Sequence, residues 1–125
     1  MQIVIDTNFI LSCIKQKIPI FDEIEDSIPG AEIVVPTRVI DELLNLTKKA
    51  DKLKERESAS VALQLLEKKK IKTLDLEGEV DDSIVSYALS NKDVIVATLD
   101  RGIKERIKNQ NKVLAIRNKN RVALV

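Results

Sequence analysis

The stretch QIVIDTNFILSCIK, residues 2–15, sets the pattern of the whole chain. Gln2–Asp6 is short, apolar and rich in β-branched residues, which predicts a buried strand. In Asn8–Lys15 apolar residues recur at helical spacing, which predicts a helix. A continuously apolar strand that is followed by a helix is typical of a parallel sheet with helices on both faces.

Strand and helix signals continue to alternate along the rest of the chain. The further strands are predicted at Glu32–Val35, Lys72–Leu76, Asp93–Leu99, Val113–Ile116 and Arg121–Val125. The further helices are predicted at Pro19–Ile28, Thr37 to about Ala50, Ser58–Lys69, Asp81–Ser90 and Arg101–Asn109. Because no linker, repeat or low-complexity tract interrupts the pattern, we expect one domain of the α/β class over residues 1–125.

The residue types that the chain lacks exclude several kinds of site. It has no histidine, which rules out His general bases, Ser-His-Asp triads and His-ligated zinc. Its one cysteine, Cys13, allows neither an internal disulfide nor a Cys-cluster metal site. The three glycines are scattered, so the G-x-G-x-x-G and P-loop motifs of nucleotide-binding folds are absent.

Charge is distributed unevenly along the chain, although the net charge is only +1. Residues 98–125 contain eight Lys and Arg residues against two acids, whereas the preceding part carries a net negative charge. An acidic body with a basic C-terminal part suits a protein that binds a metal in one place and phosphate in another. A solvated helix followed by a hairpin would give the same pattern.

The chain contains no segment that is typical of export or membrane insertion. The N-terminal stretch MQIVIDTNF has no basic flank and no apolar run of signal-peptide length. No part of the chain approaches the roughly 18 apolar residues that a membrane span requires. We therefore expect a soluble, cytoplasmic protein that does not bind a membrane.

Acidic residues stand where the predicted strands end or where the following helices begin. Asp6 ends the first strand, and Asp100 directly follows the fourth. Glu42 lies early in the helix after the second strand, and Asp81 and Asp82 open the helix after the third. Since the carboxyl ends of parallel strands meet at one edge of a sheet, we expect these acids to converge there. Carboxylates brought together repel one another, and a divalent cation such as Mg²⁺ or Mn²⁺ relieves that repulsion.

Such a cluster supports chemistry without histidine or a nucleophilic thiol. Bound divalent cations lower the pKa of a water molecule, aim it at phosphorus and stabilise the leaving oxygen, which suffices for phosphodiester hydrolysis. Each acid also has a purely structural interpretation, as a turn residue, a helix cap or a solvated helix residue. The occurrence of four acids at strand-end positions makes the structural interpretation the weaker one.

Four segments, in order, resemble the motifs of the PIN-domain ribonuclease family. They are IVIDTN (3–8), VVPTRVIDEL (34–43), VDDSIVSYAL (80–89) and IVATLDRGIKERI (95–107). The first looks like a strand ending in Asp, and the second like a strand stopped by Pro before a helical Glu. The third looks like a helix that opens with Asp, and the fourth like Thr-x-Asp before a basic helix. The resemblance runs over residues 1–116, nearly the whole chain.

The resemblance implies a three-layer α/β/α fold with a mainly parallel central sheet, a Mg²⁺ or Mn²⁺ site and cleavage of single-stranded RNA. The residues that it places in catalytic and metal-binding roles are Asp6, Glu42, Asp81 and Asp100, with Asp82 as an additional metal ligand. Asn8 and Thr98 match positions that hydrogen-bond or orient those carboxylates. On the basic helix, Arg101, Lys104 and Lys108 are the expected contacts to RNA.

Two branches of the family fit these motifs. One trims ribosomal RNA precursors, and the stretch VATLDRGIKERI (96–107) and the C-terminal strands are more similar to this branch. Its expected partner is a ribosomal precursor particle. The other branch is the toxin of a toxin–antitoxin pair, with an antitoxin as its partner. Because relatives are often dimers, a homodimer is a further expectation.

Three other classes of protein compete with a nuclease. A non-catalytic RNA-binding or assembly module of the same fold would be indicated by a lost acid, yet all four acids are present. A haloacid-dehalogenase-like phosphatase needs a second Asp two residues after the first, where this chain has Asn8. A phospho-receiver domain needs an acidic pair after its first strand, where this chain has Asp6 alone. The sequence therefore predicts a metal-dependent ribonuclease.

Overall fold

A computed structural model describes all 125 residues of the chain. Its strands are β1 (Gln2–Ile5), β2 (Glu32–Pro36), β3 (Lys72–Leu74), β4 (Ile95–Ala97), β5 (Val113–Arg117) and β6 (Arg121–Leu124). Its helices are α1 (Thr7–Lys15), α2 (Ile20–Ser27), α3 (Thr37–Lys49), α4 (Leu53–Lys68), α5 (Val80–Ser90) and α6 (Arg101–Ile107). The predicted alternation of strands and helices is confirmed.

All six strands form one sheet in the order β3-β2-β1-β4-β5-β6. The first five strands are parallel, and β6 returns antiparallel to β5. The chain first extends the sheet to one side of β1, through β2 and β3, and then crosses to the other side with β4. The carboxyl ends of β1 and β4 therefore flank the topological switch point, where ligands bind in open α/β sheets.

Helices cover both faces of the sheet, which confirms the three-layer α/β/α architecture. A core of 19 buried residues joins one face of the sheet to α1, α2, α3 and α4. A smaller core of 10 buried residues joins the other face to α5 and α6. The side chains of β1 pack alternately in the two cores. Ile3 and Ile5 belong to the larger core and Val4 to the smaller. Both faces of the central strand are thus buried, as its continuously apolar sequence requires.

Most predicted element bounds lie within one residue of those observed, but α4, β3, β4 and the end of α6 differ by two residues or more. Helix α4 begins at Leu53 rather than at Ser58, because its first turn is exposed and carries no apolar periodicity. Strand β3 ends at Leu74, opposite the last residue of its one neighbour, β2. Strand β4 covers only Ile95–Ala97, because its neighbour β1 ends at the same level and the chain then turns into the cleft described below.

Two features of the helices bear on function. None of them combines the length and the apolar composition that a membrane crossing requires. Cys13 of α1 is fully buried, and burial raises the pKa of its thiol to about 12. The thiol is therefore protonated at neutral pH, and Cys13 acts as a small core residue.

Candidate active site

Asp6 follows β1 directly and caps the N-terminus of α1. Its Oδ1 accepts a hydrogen bond from the backbone N–H of Phe9 at 2.9 Å, and its Oδ2 accepts one from Thr98 Oγ1. Its own backbone N–H donates to the carbonyl of Ala97 on β4 at 3.2 Å. These contacts hold the carboxylate at the switch point between β1 and β4, where only 6% of the residue is exposed.

The surroundings of Asp6 oppose its negative charge. The pKa of its carboxyl is raised from the usual 3.8 to about 6, mainly because burial withdraws water from the charged form. The carboxylates of Asp81 and Asp100 raise this pKa further, while the hydrogen bonds from Thr98 and Phe9 lower it without cancelling the rise. A cation bound in the cleft would stabilise the ionised form that the protein alone disfavours.

Thr98 connects Asp6 with Asp100. The backbone N–H of Asp100 donates to Thr98 Oγ1 at 3.1 Å, while the same hydroxyl donates to Asp6. Asp100 in turn caps α6, because its Oδ1 accepts a hydrogen bond from the backbone N–H of Ile103 at 3.0 Å. A Cβ at Gly102 would lie only 3.0 Å from this Oδ1, so glycine leaves room for the capping carboxylate. Thr98, predicted as an orienting residue, thus contacts two of the predicted acids.

Glu42 reaches the same region from α3. Its Oε1 accepts a hydrogen bond from Thr7 Oγ1 at 2.8 Å. Thr7 is buried directly after Asp6, so this bond positions Glu42 relative to Asp6. Sequence reasoning missed Thr7 and gave the orienting role to Asn8, which lines the same cleft. The signal that would have found Thr7 is its position, a hydroxyl residue directly after the Asp that follows β1.

The two acids in the first turn of α5 lie in different surroundings. Asp81 lines the cleft, and its pKa is raised by burial and then by the charge of Asp100. Asp82 instead pairs with Arg106 of α6, with 2.8 Å between Asp82 Oδ1 and Arg106 Nη1, and does not line the cleft. The structure therefore brings Asp81 to the other acids and leaves Asp82, predicted as an additional metal ligand, outside.

One cleft joins the predicted acids at the carboxyl edge of the sheet. It is lined by Asp6, Thr7, Asn8, Glu42, Val80, Asp81 and Asp100. Its volume of about 220 Å³ has room for a cation with several water molecules. In the arrangement observed, no three acidic side chains lie close enough together to hold a metal ion directly. Because Mg²⁺ prefers oxygen donors and usually keeps several of its waters, this donor set fits a cation that is held partly through water.

A second depression continues from the cleft along α3. It shares Thr7, Asn8 and Glu42 with the cleft and extends to Asn45 and Lys49. The last two residues follow Glu42 three and seven positions later, which places them on the same side of the helix. We call this depression the α3 groove. Its volume is about 380 Å³, and it leads away from the acids to an amide and an ammonium group.

The basic residues that were predicted to contact RNA lie on α6, outside the cleft. Arg101 is exposed in the first turn, directly after Asp100, and Lys104 is half-buried one turn later. Lys108 lies at the far end of the helix, where its Nζ is 2.8 Å from Oε2 of Glu105. Arg101 is therefore the one of the three that directly adjoins a cleft residue in the sequence.

Three comparisons with known proteins each match most of the chain. The model of a family described as a PIN-like domain matches residues 3–119. Ribonuclease VapC4 of Methanocaldococcus jannaschii is 38% identical over 121 residues, which cover 94% of this chain and 92% of the relative. The solved structure of the PIN domain endonuclease Utp24 is similar with a TM-score of 0.79 and 26% identity, over 98% of this chain and 90% of that one.

Proposed function

The chain belongs to the family of PIN-like domains, and on this basis we propose that it is a metal-dependent ribonuclease that hydrolyses phosphodiester bonds of single-stranded RNA. The observation that carries the proposal is the cleft lined by Asp6, Glu42, Asp81 and Asp100. These carboxylates come from four different elements, and only Asp6 and Asp100 cap helices with their side chains. Helix capping therefore explains the presence of only two of the four acids.

The similar proteins support this class of reaction. One of them is a ribonuclease and the other is an endonuclease of the same domain family. A nuclease of this chain must work without histidine, because the sequence contains none. The acids of the cleft and a bound cation are then the groups available for phosphodiester hydrolysis.

We assign Asp6, Glu42, Asp81 and Asp100 as the residues that would hold Mg²⁺ or Mn²⁺. When bound, such a cation lowers the pKa of a water molecule and stabilises the charge that develops on the phosphate. Thr98 and the N–H of Phe9 hold Asp6, while Thr7 holds Glu42. The carboxylates are thereby oriented before the substrate arrives, which reduces the cost of assembling the site.

Some carboxylate oxygens remain free of protein hydrogen bonds. Glu42 accepts through Oε1, which leaves Oε2, and Asp100 accepts through Oδ1, which leaves Oδ2. These oxygens are available to the cation or to its water molecules. Glu42 and Asp100 are thus each fixed through one oxygen and able to bind through the other.

The shape of the cleft favours single-stranded RNA. Asp6 is 6% exposed, so a phosphate must enter the cleft to come near it. A flexible single strand can bend into such a cleft, whereas a rigid A-form duplex presents its phosphates on a convex surface. The α3 groove offers the strand a path, with the Asn45 amide to hydrogen-bond a base and Lys49 to pair with a phosphate.

Processing of ribosomal RNA precursors is the cellular role that we propose first. It is supported by the resemblance of residues 96–107 to the branch that trims ribosomal RNA precursors. A toxin bound by an antitoxin is the second candidate. An apolar depression favours it, since a partner protein can dock against the exposed Leu44 and the partly buried Ile40, Leu63 and Ile71 that line it.

The test of the proposed function is cleavage of a labelled single-stranded RNA by the purified protein. We expect cleavage with Mn²⁺, none with EDTA, and none by Asp6→Asn with Mn²⁺ present. A base-paired version of the same RNA should be cut more slowly. Cleavage that survives EDTA or the Asp6→Asn change would refute the metal-dependent mechanism. Binding of RNA without cleavage under all conditions would favour the non-catalytic module.

A further inference from the structure

The C-terminal hairpin carries three basic residues at its tip. Strands β5 and β6 are joined by a tight turn in which Asn118 and Lys119 have φ of 54° and 59°. Positive φ at both central residues is the geometry of turns that suit the twist of a hairpin. The backbone N–H of Asn120 closes the turn by donating to the carbonyl of Arg117 at 3.1 Å. We call Arg117, Lys119 and Arg121 the basic hairpin tip.

Strand register places this tip at the edge of the sheet where the acids lie. Strand β5 is parallel to β4, and Leu114 is level with Ala97, the last residue of β4. Strand β5 continues for three more residues to Arg117, which at ~3.3 Å per residue carries the tip about 10 Å beyond that level. The tip therefore projects from the same edge as the cleft. Because β5 and β2 lie on opposite sides of β1, the tip and the α3 groove flank the acids from opposite sides.

The charges of the tip have no partner within the protein. Arg117, Lys119 and Arg121 are exposed, and none of them takes part in an ion pair. Arg117 and Arg121 are direct cross-strand partners. Like charges directly opposite each other destabilise a strand pair, so this arrangement is unfavourable for folding alone. Local conflicts of this kind are expected where a residue serves binding.

Strand alternation also sets the direction of the tip. Val113 belongs to the core on the side of α5 and α6, and Arg117 lies four residues later on the same face of the strand. Arg121 shares that face as the cross-strand partner of Arg117. Helix α6 covers this face and begins with the exposed Arg101. Arg101 and the tip thus lie on the same side of the sheet and near its carboxyl edge.

Helix α2 holds the hairpin in place. Ser27 Oγ donates to the carbonyl of Val122 at 2.8 Å, and Glu23 Oε1 accepts from the N–H of Val122 at 3.0 Å. These bonds occupy the outer edge of β6, which blocks it against pairing with another strand. The hairpin is therefore an anchored support for the cations at its tip.

We propose that the basic hairpin tip is a second RNA-binding site, which holds phosphates of the substrate strand on the side of the cleft opposite the α3 groove. The proposal rests on the proposed function for the identity of the ligand. Three unpaired cations at the edge of an acidic cleft recognise a polyanion that must cross that edge. The tip would then offset the repulsion between the RNA and the acidic body of the protein.

Binding of a fluorescent oligouridine of about 16 nucleotides tests this site. We would measure it across a salt series with Mn²⁺, in an Asp6→Asn background that keeps the RNA intact. The tip variant combines Arg117→Gln, Lys119→Gln and Arg121→Gln. A conservative variant, Arg117→Lys with Arg121→Lys, retains the charge. A matched control, Lys69→Gln, Lys92→Gln and Lys112→Gln, removes the same charge at the amino ends of β3, β4 and β5.

The tip variant should bind the oligouridine at least about 10-fold more weakly at low salt. The slope of the logarithm of its binding constant against the logarithm of the salt concentration should become shallower by about 2, since each lost phosphate contact accounts for roughly 0.7. The conservative variant should bind like the parent, and the matched control should change affinity less than 3-fold. In the cleaving wild-type background, the tip variant should raise KM while kcat stays unchanged. Circular dichroism should show the same fold and no lower Tm.

The proposed site would be overturned if the tip variant bound RNA with the same affinity and salt slope as the parent. It would also be overturned if the matched control lost as much affinity as the tip variant, or if the parent did not bind RNA. Failure of this site and failure of the proposed function give different results. A wild-type protein that does not cleave, with binding lost only in the tip variant, would refute the nuclease and retain the RNA site. A wild-type protein that cleaves, with the tip variant unchanged, would do the reverse.

Discussion

Thr7 donates a hydrogen bond from its Oγ1 to Oε1 of Glu42 across 2.8 Å, although the two residues are 35 positions apart. Thr7 lies in the first turn of α1, directly after Asp6, and Glu42 lies in the second turn of α3. The bond ties the acid of one helix to the start of another. It is the one side-chain hydrogen bond that Glu42 forms with the protein.

Thr7→Val removes this bond while keeping the shape of the side chain. We expect the Mn²⁺ concentration for half-maximal cleavage to rise about 10-fold, because outer partners of metal-binding carboxylates contribute 10- to 100-fold to affinity or activity. Thr7→Ser, which keeps the hydroxyl, should stay within a few-fold of wild type. The same Mn²⁺ dependence in Thr7→Val and wild type would show that Glu42 needs no such support.

Asp6 makes the stability of the metal-free protein depend on pH. Its pKa is about 6 in the folded protein against 3.8 normally, so the fold favours the neutral carboxyl. This stabilisation of the folded protein is fully present below pH 3.8 and is lost as the pH rises through about 6. A difference of about two pKa units corresponds to about 3 kcal/mol of unfolding free energy at neutral pH.

Asp6→Asn removes this penalty. With EDTA present, the variant should be more stable than wild type by about 2 to 3 kcal/mol at about pH 8, and the difference should vanish near pH 4. Urea unfolding at both pH values measures the effect. Addition of Mn²⁺ should stabilise wild type more than the variant. A variant that is less stable than wild type at pH 8 in EDTA would contradict the burial argument.

The neighbouring acids of α5 provide a matched pair. Asp81 lines the cleft, whereas Asp82 is paired with Arg106 at the surface. We expect Asp81→Asn to lower kcat/KM by at least about 100-fold, and Asp82→Asn to change it by less than about 3-fold. Stability should change by less than about 1 kcal/mol in Asp82→Asn, because the lost ion pair is exposed. Comparable losses of cleavage in both variants would show that Asp82 also belongs to the metal site.

The basic residues of α6 should contribute unequally to RNA binding. Arg101 is exposed next to Asp100, whereas Lys108 is paired with Glu105 at the far end of the helix. We expect Arg101→Gln to weaken binding of oligouridine several-fold and to lower the salt slope by about 0.7, with Lys108→Gln close to wild type. Fluorescence anisotropy across a salt series measures both. A larger loss in Lys108→Gln would place the RNA along the whole helix.

Much of the fold follows from the sequence by itself. Continuous apolar runs at β1, β2 and β4 indicated buried parallel strands, and helical periodicity between them indicated the covering layers. The meeting of Asp6 and Asp100 also follows, because Asp6 comes directly after β1 and Asp100 comes three residues after β4, and the carboxyl ends of these strands share one edge. These features are local or topological, so the pattern along the chain specifies them.

The detailed site was decided only by the tertiary structure. Sequence reasoning ranked Asp81 above Asp82 but still allowed Asp82 as an additional metal ligand, because the pairing of Asp82 depends on Arg106, 24 positions away. It also missed Thr7, whose partner lies on α3. The cations of the hairpin were visible as a charge run, but only the register of β5 against β4 placed them beside the acids. Periodicity determines which face of an element is buried, whereas the direction of a polar side chain depends on the distant element that it meets.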